Sequence, residues 1–600
     1  MEKNYSFYRN EPVLDLNPNQ TMYSFIKNIN ENNMDKKAID FFGTRTSFDS
    51  LINERTVKLA DAYYKNGVRE GDSVGLLLIN IPAVQENLLA LSYLGATAKW
   101  IDVRNKEKDL IDKLNENDGC KFVVAFDGVA NNVINILNET NVEKVLVVSP
   151  KDYLNPIAKI VANYKDFKEN KKIDIDYNDK VMKYMDFYKE GSKNTDITPV
   201  SFEKDRPSII VQSSGSTGKS KSILHTEYNF NSEMVKESYS DLPLVAGNRM
   251  FVTVPPFIIY GLCNSIYAAM TFGLEGVLSP YLDDDVVLKA LGKIDISAGV
   301  PLHYRCIYAK MVSLKNEIDE LIKLDSPSVK KDLLKKTKEL DDIINKLKNT
   351  KAFISGGDKI TADEILRMEH TFNVPVINGY GNNEMCGASV ITPVYGSKPD
   401  SIGIPLKGVE IHAFDENTNE QLPDGEVGEL CMKSDNMFVE YINNPTETNK
   451  IKQTHKDGSS WVHTGDLGFI DQDGFVFVTG RNRRLIKMDS FKISPETIES
   501  CVLKLNYIKD CVVVGAPDEE HKEVPMLYIE KNVDVTVNND ELIECVKQYC
   551  AENIPDYENP AYIEILDSIP YSNGKHNFKL LAEKAKNFVN ENNKSKVLMK

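Results

Sequence analysis

The 600-residue chain has no Cys-x-x-Cys pair and no Cys/His cluster at metal-ligand spacing. Its nine cysteines are scattered from Cys120 to Cys550. That pattern points to no disulfide framework or structural zinc site, and reduced thiols are expected. The N-terminal MEKNYSFYRNEPVLDLNPN lacks an apolar stretch, so no signal peptide is expected. One uncharged span, Met250 to Leu274, is long enough to cross a bilayer. However, it carries Pro255, Pro256, Gly261, Asn264 and several hydroxyls, so a buried strand, loop and helix is expected instead. Positive charge is in deficit, with 72 Lys+Arg against 89 Asp+Glu and a net charge of −17. This opposes nonspecific binding to nucleic acid or anionic lipid. Repeats and low-complexity segments are also lacking. The expectation is a cytoplasmic protein with a small-molecule partner, no nucleic-acid partner and no stable membrane insertion.

What is present is an alternation of helical and strand patterns. Leu51 to Tyr64 has helical spacing; SVGLLLIN, KFVVAFD and KVLVVSP are short apolar runs suited to buried parallel strands. Such alternation indicates α/β layers around largely parallel sheets. From 314 to 348 the pattern changes to two amphipathic stripes, Leu314/Ile318/Leu321/Ile322 and Leu333/Leu340/Ile344/Leu347, separated by the cap pair Ser326-Pro327. An inserted helical hairpin is expected, packed on its own domain. WVHTGDLGFIDQDGFVFVTG reads as short strands with turns at Gly465-Asp466 and Asp473-Gly474. A domain boundary is expected near Gly480-Arg481. A compact α/β pattern then runs to about 582, and 583–600 is a polar tail.

The stretch QSSGSTGKSKS follows the strand-like Ile209–Val211. It ends in Gly-Lys-Ser but lacks the glycine five places earlier that a Walker loop needs; Ser213 stands there. Gly215 and Gly218 let backbone N–H groups turn inward, Ser213, Ser214, Ser216 and Thr217 add hydroxyls, and Lys219 and Lys221 add charge. Such a nest suits phosphate oxygens. Further on, NGYGNNE offers Tyr380 as a flat face for a purine and Glu384 as a hard oxygen ligand for phosphate-bound Mg²⁺. In HTGDLG, Asp466 can accept from two vicinal hydroxyls. Each alone is an ordinary turn.

Together, and in this order, these stretches resemble the adenylate-forming superfamily of acyl-CoA synthetases, luciferases and peptide-synthetase adenylation domains. Ser214 to Ser222 resembles its S-G-T-T-G-x-P-K-G loop, with Lys221 as the motif lysine and Lys219 at a variable place. SGGDK, with Gly357 and Asp358, resembles its adenine-side loop. Asn378, Gly379, Tyr380, Gly381 and Glu384 resemble Y-G-x-T-E, with Asn383 replacing the threonine. TGRNRRLIKMDSFKISPETIE resembles the hinge and the loop after it. IPYSNGKHNFKL resembles the segment that bears the catalytic lysine. The resemblance runs from about 38 to 582.

It implies an α/β fold: a large N-terminal domain, 1–480, of two α/β subdomains plus a β-rich one, and a small mobile α+β C-terminal domain, 481–582. It also implies a set of site residues. Lys575, Glu384 and Thr217 would be catalytic. Ser213 to Gly218, Lys221, Gly357, Asp358, Asn378 to Gly381, Asn383, Asp466 and Arg481 would hold ATP, with Arg483 at the hinge. Ile258, Ile259, Tyr260 and Cys263 would line the acyl pocket, where Ile258 replaces the usual histidine and no aspartate stands to hold an α-ammonium. Ser490 and Phe491 would flank the thiol tunnel, Ser490 replacing a glycine. The implied activity is an ATP- and Mg²⁺-dependent acid–CoA ligase acting on an apolar fatty or aryl acid. The alternatives are an adenylating enzyme that loads a carrier protein's phosphopantetheine, and a non-catalytic nucleotide-binding protein. His303 and Arg305 could meet a polar acyl tail or be structural.

Overall fold

The computed structural model describes residues 8–168, 173–213, 220–280, 283, 285–324, 326–394, 396–415, 418–481, 484–488, 491–518, 521–532, 538–572 and 575–598. Two compact units are present: 1–410 with 433–454 and 458–462, and 411–432 with 455–457 and 463–600.

Within the first unit, among the described residues, an eight-stranded and a nine-stranded sheet form the α/β body. In the first sheet Ser73–Leu77, Thr97–Trp100, Phe122–Phe126 and Lys144–Val148 run parallel, and the antiparallel hairpin Pro207–Gln212/Ser222–Thr226 extends it. The apolar runs form these strands because both faces are covered by helices. In the second sheet Arg249–Val252, Ile296–Gly299, Ala352–Gly356 and Val376–Asn382 are parallel neighbours. The uncharged span resolves into the strand Arg249–Val252, a loop and short helical turns from Ile259 to Thr271. No described helix is long and apolar enough to cross a membrane.

The helical hairpin starts earlier than its stripe suggests. Its first helix runs from Pro301 to Leu324 and its second from Lys330 to Leu347. Only the base is buried, by Met311, Leu314, Ile343 and Leu347. Ion pairs Lys310–Glu339 and Lys336–Glu317 join the two helices, and Ile322 and Leu334 nearer the tip are exposed.

In the second unit, Ile508–Asp518 and Lys522–Lys531 form a long antiparallel hairpin, joined by Ile486–Met488 and, in parallel, Tyr562–Leu566. Helices Pro495–Val502, Asn539–Asn553 and Phe578–Leu598 pack on it. Two expectations change here. Gly465-Asp466 is not a turn between strands but lies inside the strand Ser460–Ile470, where Gly465 takes a φ of 73° that a side chain would resist. Most of the expected polar tail belongs to the helix Phe578–Leu598, which packs Leu581, Ala585, Phe588 and Val589 on one face against the sheet. Their i, i+4, i+7, i+8 spacing is an amphipathic stripe hidden among lysines and asparagines.

Candidate active site

In the first unit residues 213–221 connect the two strands of the hairpin Pro207–Gln212/Ser222–Thr226. The ends of this loop are pinned. Ser213 N–H donates to the Lys221 carbonyl at 2.9 Å, and Ser213 Oγ accepts from Lys221 N–H at 2.9 Å. Ser220 Oγ donates to the Ser213 carbonyl at 2.7 Å, and Lys113 Nζ donates to the Ser220 carbonyl at 2.9 Å. Ser214, Gly215, Ser216, Thr217, Gly218 and Lys219 lie outside the described residues. The Lys221 ammonium is ion-paired with Glu447 at 2.6 Å and sits 4.8 Å above the Tyr441 ring. That ion pair holds the Glu447 carboxyl below the usual carboxylate range.

Tyr441 links this loop to the next motif. It reaches the hairpin by strand pairing, opposite Ile223, and its hydroxyl donates to Glu384 Oε1 at 2.5 Å. Phe438 N–H donates to the Glu384 carbonyl at 2.7 Å. His225, fully buried, lies 2.9 Å by Nε2 from the Asn383 carbonyl and 3.2 Å by Nδ1 from Cys386 Sγ. Burial pushes the imidazole down to about 3, so it is neutral and its Nε2–H donates to Asn383. The Asn383 amide, which stands where the resemblance implies a threonine, donates to the Gln212 carbonyl at 3.4 Å.

The motif's glycines have steric reasons. A Cβ on Gly381 would lie 1.6 Å from the Gly387 carbonyl oxygen, where the strand bulges beside Tyr380. Asn378 is buried with its N–H on Thr392 Oγ1 at 2.8 Å, and Gly379 pairs with Gly356 in the neighbouring strand. Gly357 has a φ of 82°, and Asp358 Oδ1 accepts from Lys359 N–H at 2.8 Å. Gln212 Nε2, Ser355 Oγ and Asn382 Oδ1 are buried without a hydrogen-bond partner among the described residues. All three stand at carboxyl ends of their strands, the edge where α/β sheets take ligands, and a polar ligand would satisfy them.

Of the expected acyl-pocket residues, Ile259 and Cys263 are buried, whereas Ile258 and Tyr260 are part-exposed. The Tyr260 hydroxyl donates to the Ile354 carbonyl at 3.0 Å, and its ring lies 3.2 Å from where a Gly356 Cβ would be. Gly356 is therefore glycine because the ring occupies that space. Arg305 is structural: its guanidinium bonds Glu364 Oε1 at 2.8 Å and the Lys359 carbonyl at 3.2 Å. His303 is buried, which pushes it down to about 4.

In the second unit Asp466 and Arg481 are direct partners across the antiparallel pair Ser460–Ile470/Val476–Arg481. The strand register thus brings together two residues that lie in separate motifs. Thr464 Oγ1 donates to the Leu430 carbonyl at 2.6 Å and accepts from Asp466 N–H at 3.0 Å. Glu429 Oε1 accepts from Gly465 N–H at 2.9 Å and its Oε2 from His463 Nδ1 at 2.9 Å. With Cys431, these side chains gather ligand atoms within 4.8 Å of one another, but Glu429 is already committed to holding the segment that bears Asp466. A Cβ on Gly480 would lie 2.5 Å from Ser494 Oγ, so the chain passes tightly there. Lys575 pairs by backbone with Ser572 in a two-stranded hairpin, and Phe491 with Met488. Arg483, Ser490 and the side chains of Arg481, Phe491 and Lys575 lie outside the described residues.

Residues 26–442 match the AMP-binding enzyme family, and 497–575 match the AMP-binding enzyme C-terminal domain. The chain belongs to the AMP-binding enzyme family. It is 24% identical over 558 residues to a long-chain-fatty-acid–CoA ligase of Bacillus subtilis, covering 92% of each chain. It is also 24% identical over 528 residues to 4-coumarate–CoA ligase 1 of Petroselinum crispum, covering 86% of this chain and 84% of that one. ATP-bound MatB from Rhodopseudomonas palustris shares its fold at a TM-score of 0.78 and 19% identity, over 95% of this chain and 99% of that one. A benzoate CoA ligase from Burkholderia xenovorans does so at 0.73 and 18%, over 94% and 99%.

As an AMP-binding enzyme the chain is an AMP-forming acid–thiol ligase of the acyl-CoA synthetase type. The motif order marks 213–221 and Glu384, but not His225, Tyr441 or Glu447, which contact Asn383, Glu384 and Lys221. Tyr441 and Glu447 sit in FVEYINNPTE, a stretch without periodicity or motif spacing. Strand pairing opposite Ile223 brings Tyr441 beside Glu384.

Proposed function

We propose that the chain is an ATP-dependent carboxylic acid–CoA ligase that activates an acid with an apolar fatty or aryl body as its acyl-adenylate. A carboxylate is a poor acyl donor because its leaving group would be oxide; as an adenylate its leaving group is AMP. The observation that carries this reading is Glu384 held by the Tyr441 hydroxyl while the same ring lies under Lys221. A fixed carboxylate and an ammonium on one tyrosine make a site of opposite charges suited to a metal-bound polyphosphate.

Glu384 fits Mg²⁺, since an ion bound mainly through phosphates needs one or two protein carboxylates; bound there, it would screen the phosphate charge. In this reading the acid's carboxylate attacks the α-phosphorus and pyrophosphate leaves toward 213–221. Lys221 exchanges Glu447 for phosphate oxygens, and Asp466 with Arg481 takes the ribose. Tyr380 faces the adenine, supported by Gly357, Asp358, Asn378 and Gly379. Lys575 stabilises the charge that moves between carboxylate and α-phosphate. Catalysis is by positioning and electrostatics. Turning about Arg483 would then withdraw Lys575 and bring the 487–494 loop, with Ser490 and Phe491, to the thiol.

Ile258, Ile259 and Tyr260 supply the apolar side of the acyl pocket, with Cys263 packed behind. The names of the curated relatives favour CoA over a carrier-bound phosphopantetheine, which presents the same thiol arm. The test is acid-dependent ATP–pyrophosphate exchange across fatty and aryl acids, followed by CoA or a holo-carrier protein. Exchange with acyl-CoA formation is expected. Thioester only on the carrier would select the carrier-loading alternative, and ATP binding without exchange for any acid would select a non-catalytic nucleotide-binding protein.

A further inference from the structure

The helix Glu227–Glu237 buries charges that an acyl-binding core has no need of. Glu233 is fully buried, and Lys236 and Glu237 are each only 5% exposed. Two amides knit the carboxylates. Asn264 Nδ2 donates to Glu233 Oε1 at 2.9 Å and to Glu237 Oε1 at 2.7 Å. Asn436 Nδ2 donates to Glu233 Oε2 at 2.5 Å and to the Met385 carbonyl at 2.7 Å. The cluster therefore lies between Met385, next to Glu384, and Asn264, next to Cys263 of the acyl-pocket segment.

The network is not closed. Lys236 Nζ, Asn264 Oδ1 and Asn436 Oδ1 are buried with no hydrogen-bond partner among the described residues. Orphaned polar atoms are expensive, and a purely structural network would be expected to pair them. One ammonium lacks an acceptor and two amide oxygens lack donors. A group that both accepts and donates, such as a hydroxyl or carboxamide, completes that set. A charged group does not suit it. Burial pushes the Glu237 carboxyl up to about 7, holds that of Glu233 well above the usual carboxylate range, and brings the Lys236 ammonium down to about 8. Burial disfavours every charged form there, and a charged tail would meet the same desolvation cost.

Resting on the ligase reading above, we infer that Lys236, Asn264 and Asn436 form the polar floor of the acyl pocket. The acid it selects has an apolar body ending in a neutral hydroxyl or carboxamide.

The test is exchange kinetics with chain-matched acids: plain, ω-hydroxy, ω-carboxamide, ω-carboxylate and ω-ammonium. The neutral polar tail should exceed the plain acid by at least about 10-fold in kcat/KM, because a site built to bond a substrate hydroxyl rejects the analogue that lacks it. K236M and N264L should collapse that ratio toward one; thermal melting of both variants shows that they are folded. Equal or better exchange with the plain acid, or a ratio unmoved by K236M, would mean that buried water or packing completes the cluster, and would overturn the inference alone. Exchange with none of the acids while ATP still binds would overturn the ligase reading, and this inference with it.

Discussion

Tyr441→Phe isolates one bond of the site. The ring stays, with its packing on Phe438 at 5.0 Å and its contact with the Lys221 ammonium at 4.8 Å. What is lost is the hydroxyl that donates to Glu384 Oε1 at 2.5 Å. A hydrogen bond to a charged group contributes about 1.5–3 kcal/mol, and Glu384 is partly exposed, so water recovers some of that. The lower end of the range, about 1.5 kcal/mol, converts to roughly a tenfold effect. In the proposed reading Glu384 acts through Mg²⁺, so the effect should appear in one place. The affinity for ATP with Mg²⁺ should fall about tenfold, whereas that for ATP in excess chelator should change less than about twofold. Isothermal titration calorimetry reads both without knowledge of the acid. Equal losses under the two conditions would make Tyr441 a structural residue only; no loss in either would remove Glu384 from the metal site.

Three other outcomes follow from particular contacts. Gly381→Ala places a methyl group 1.6 Å from the Gly387 carbonyl oxygen, so chemical denaturation should show a loss above about 3 kcal/mol. His225 is held neutral by burial, with its value down to about 3 against an ordinary 6.5, so the unfolded chain binds a proton that the folded chain refuses. Its contribution is complete above pH 6.5 and is lost as pH falls toward 3, at about 1.4 kcal/mol per pH unit; melting of His225→Gln should show a shallower acid limb by one proton. Glu429→Gln weakens the hold on Gly465 N–H and His463, so AMP affinity should fall several-fold with little change in melting temperature.

The sequence was most legible where function constrains local chemistry. The order of glycines and acids marked the strand Val376–Asn382 with Glu384 just beyond it, and the apolar runs became buried strands. Where tertiary contact outweighed local pattern, it was less legible. Glu233, Lys236 and Glu237 look like a solvated helix face, yet that face is buried, held by amides from residues 264 and 436. Gly465-Asp466 carries turn residues, but pairing with Val476–Arg481 keeps it in a strand. The helix Phe578–Leu598 hides a short apolar stripe within polar composition, and length alone did not distinguish it from a tail.

The central claim is that the carboxylate is activated by transfer to AMP before a thiol collects the acyl group. The most direct measurement is product stoichiometry in a single turnover with an ω-hydroxy or plain medium-chain acid, ATP, Mg²⁺ and CoA. The account predicts AMP, pyrophosphate and acyl-CoA in equal amounts, with Lys575→Ala slowing the appearance of pyrophosphate by roughly 10²–10³. ADP and phosphate as products, or pyrophosphate release at the same rate without acid, would contradict it.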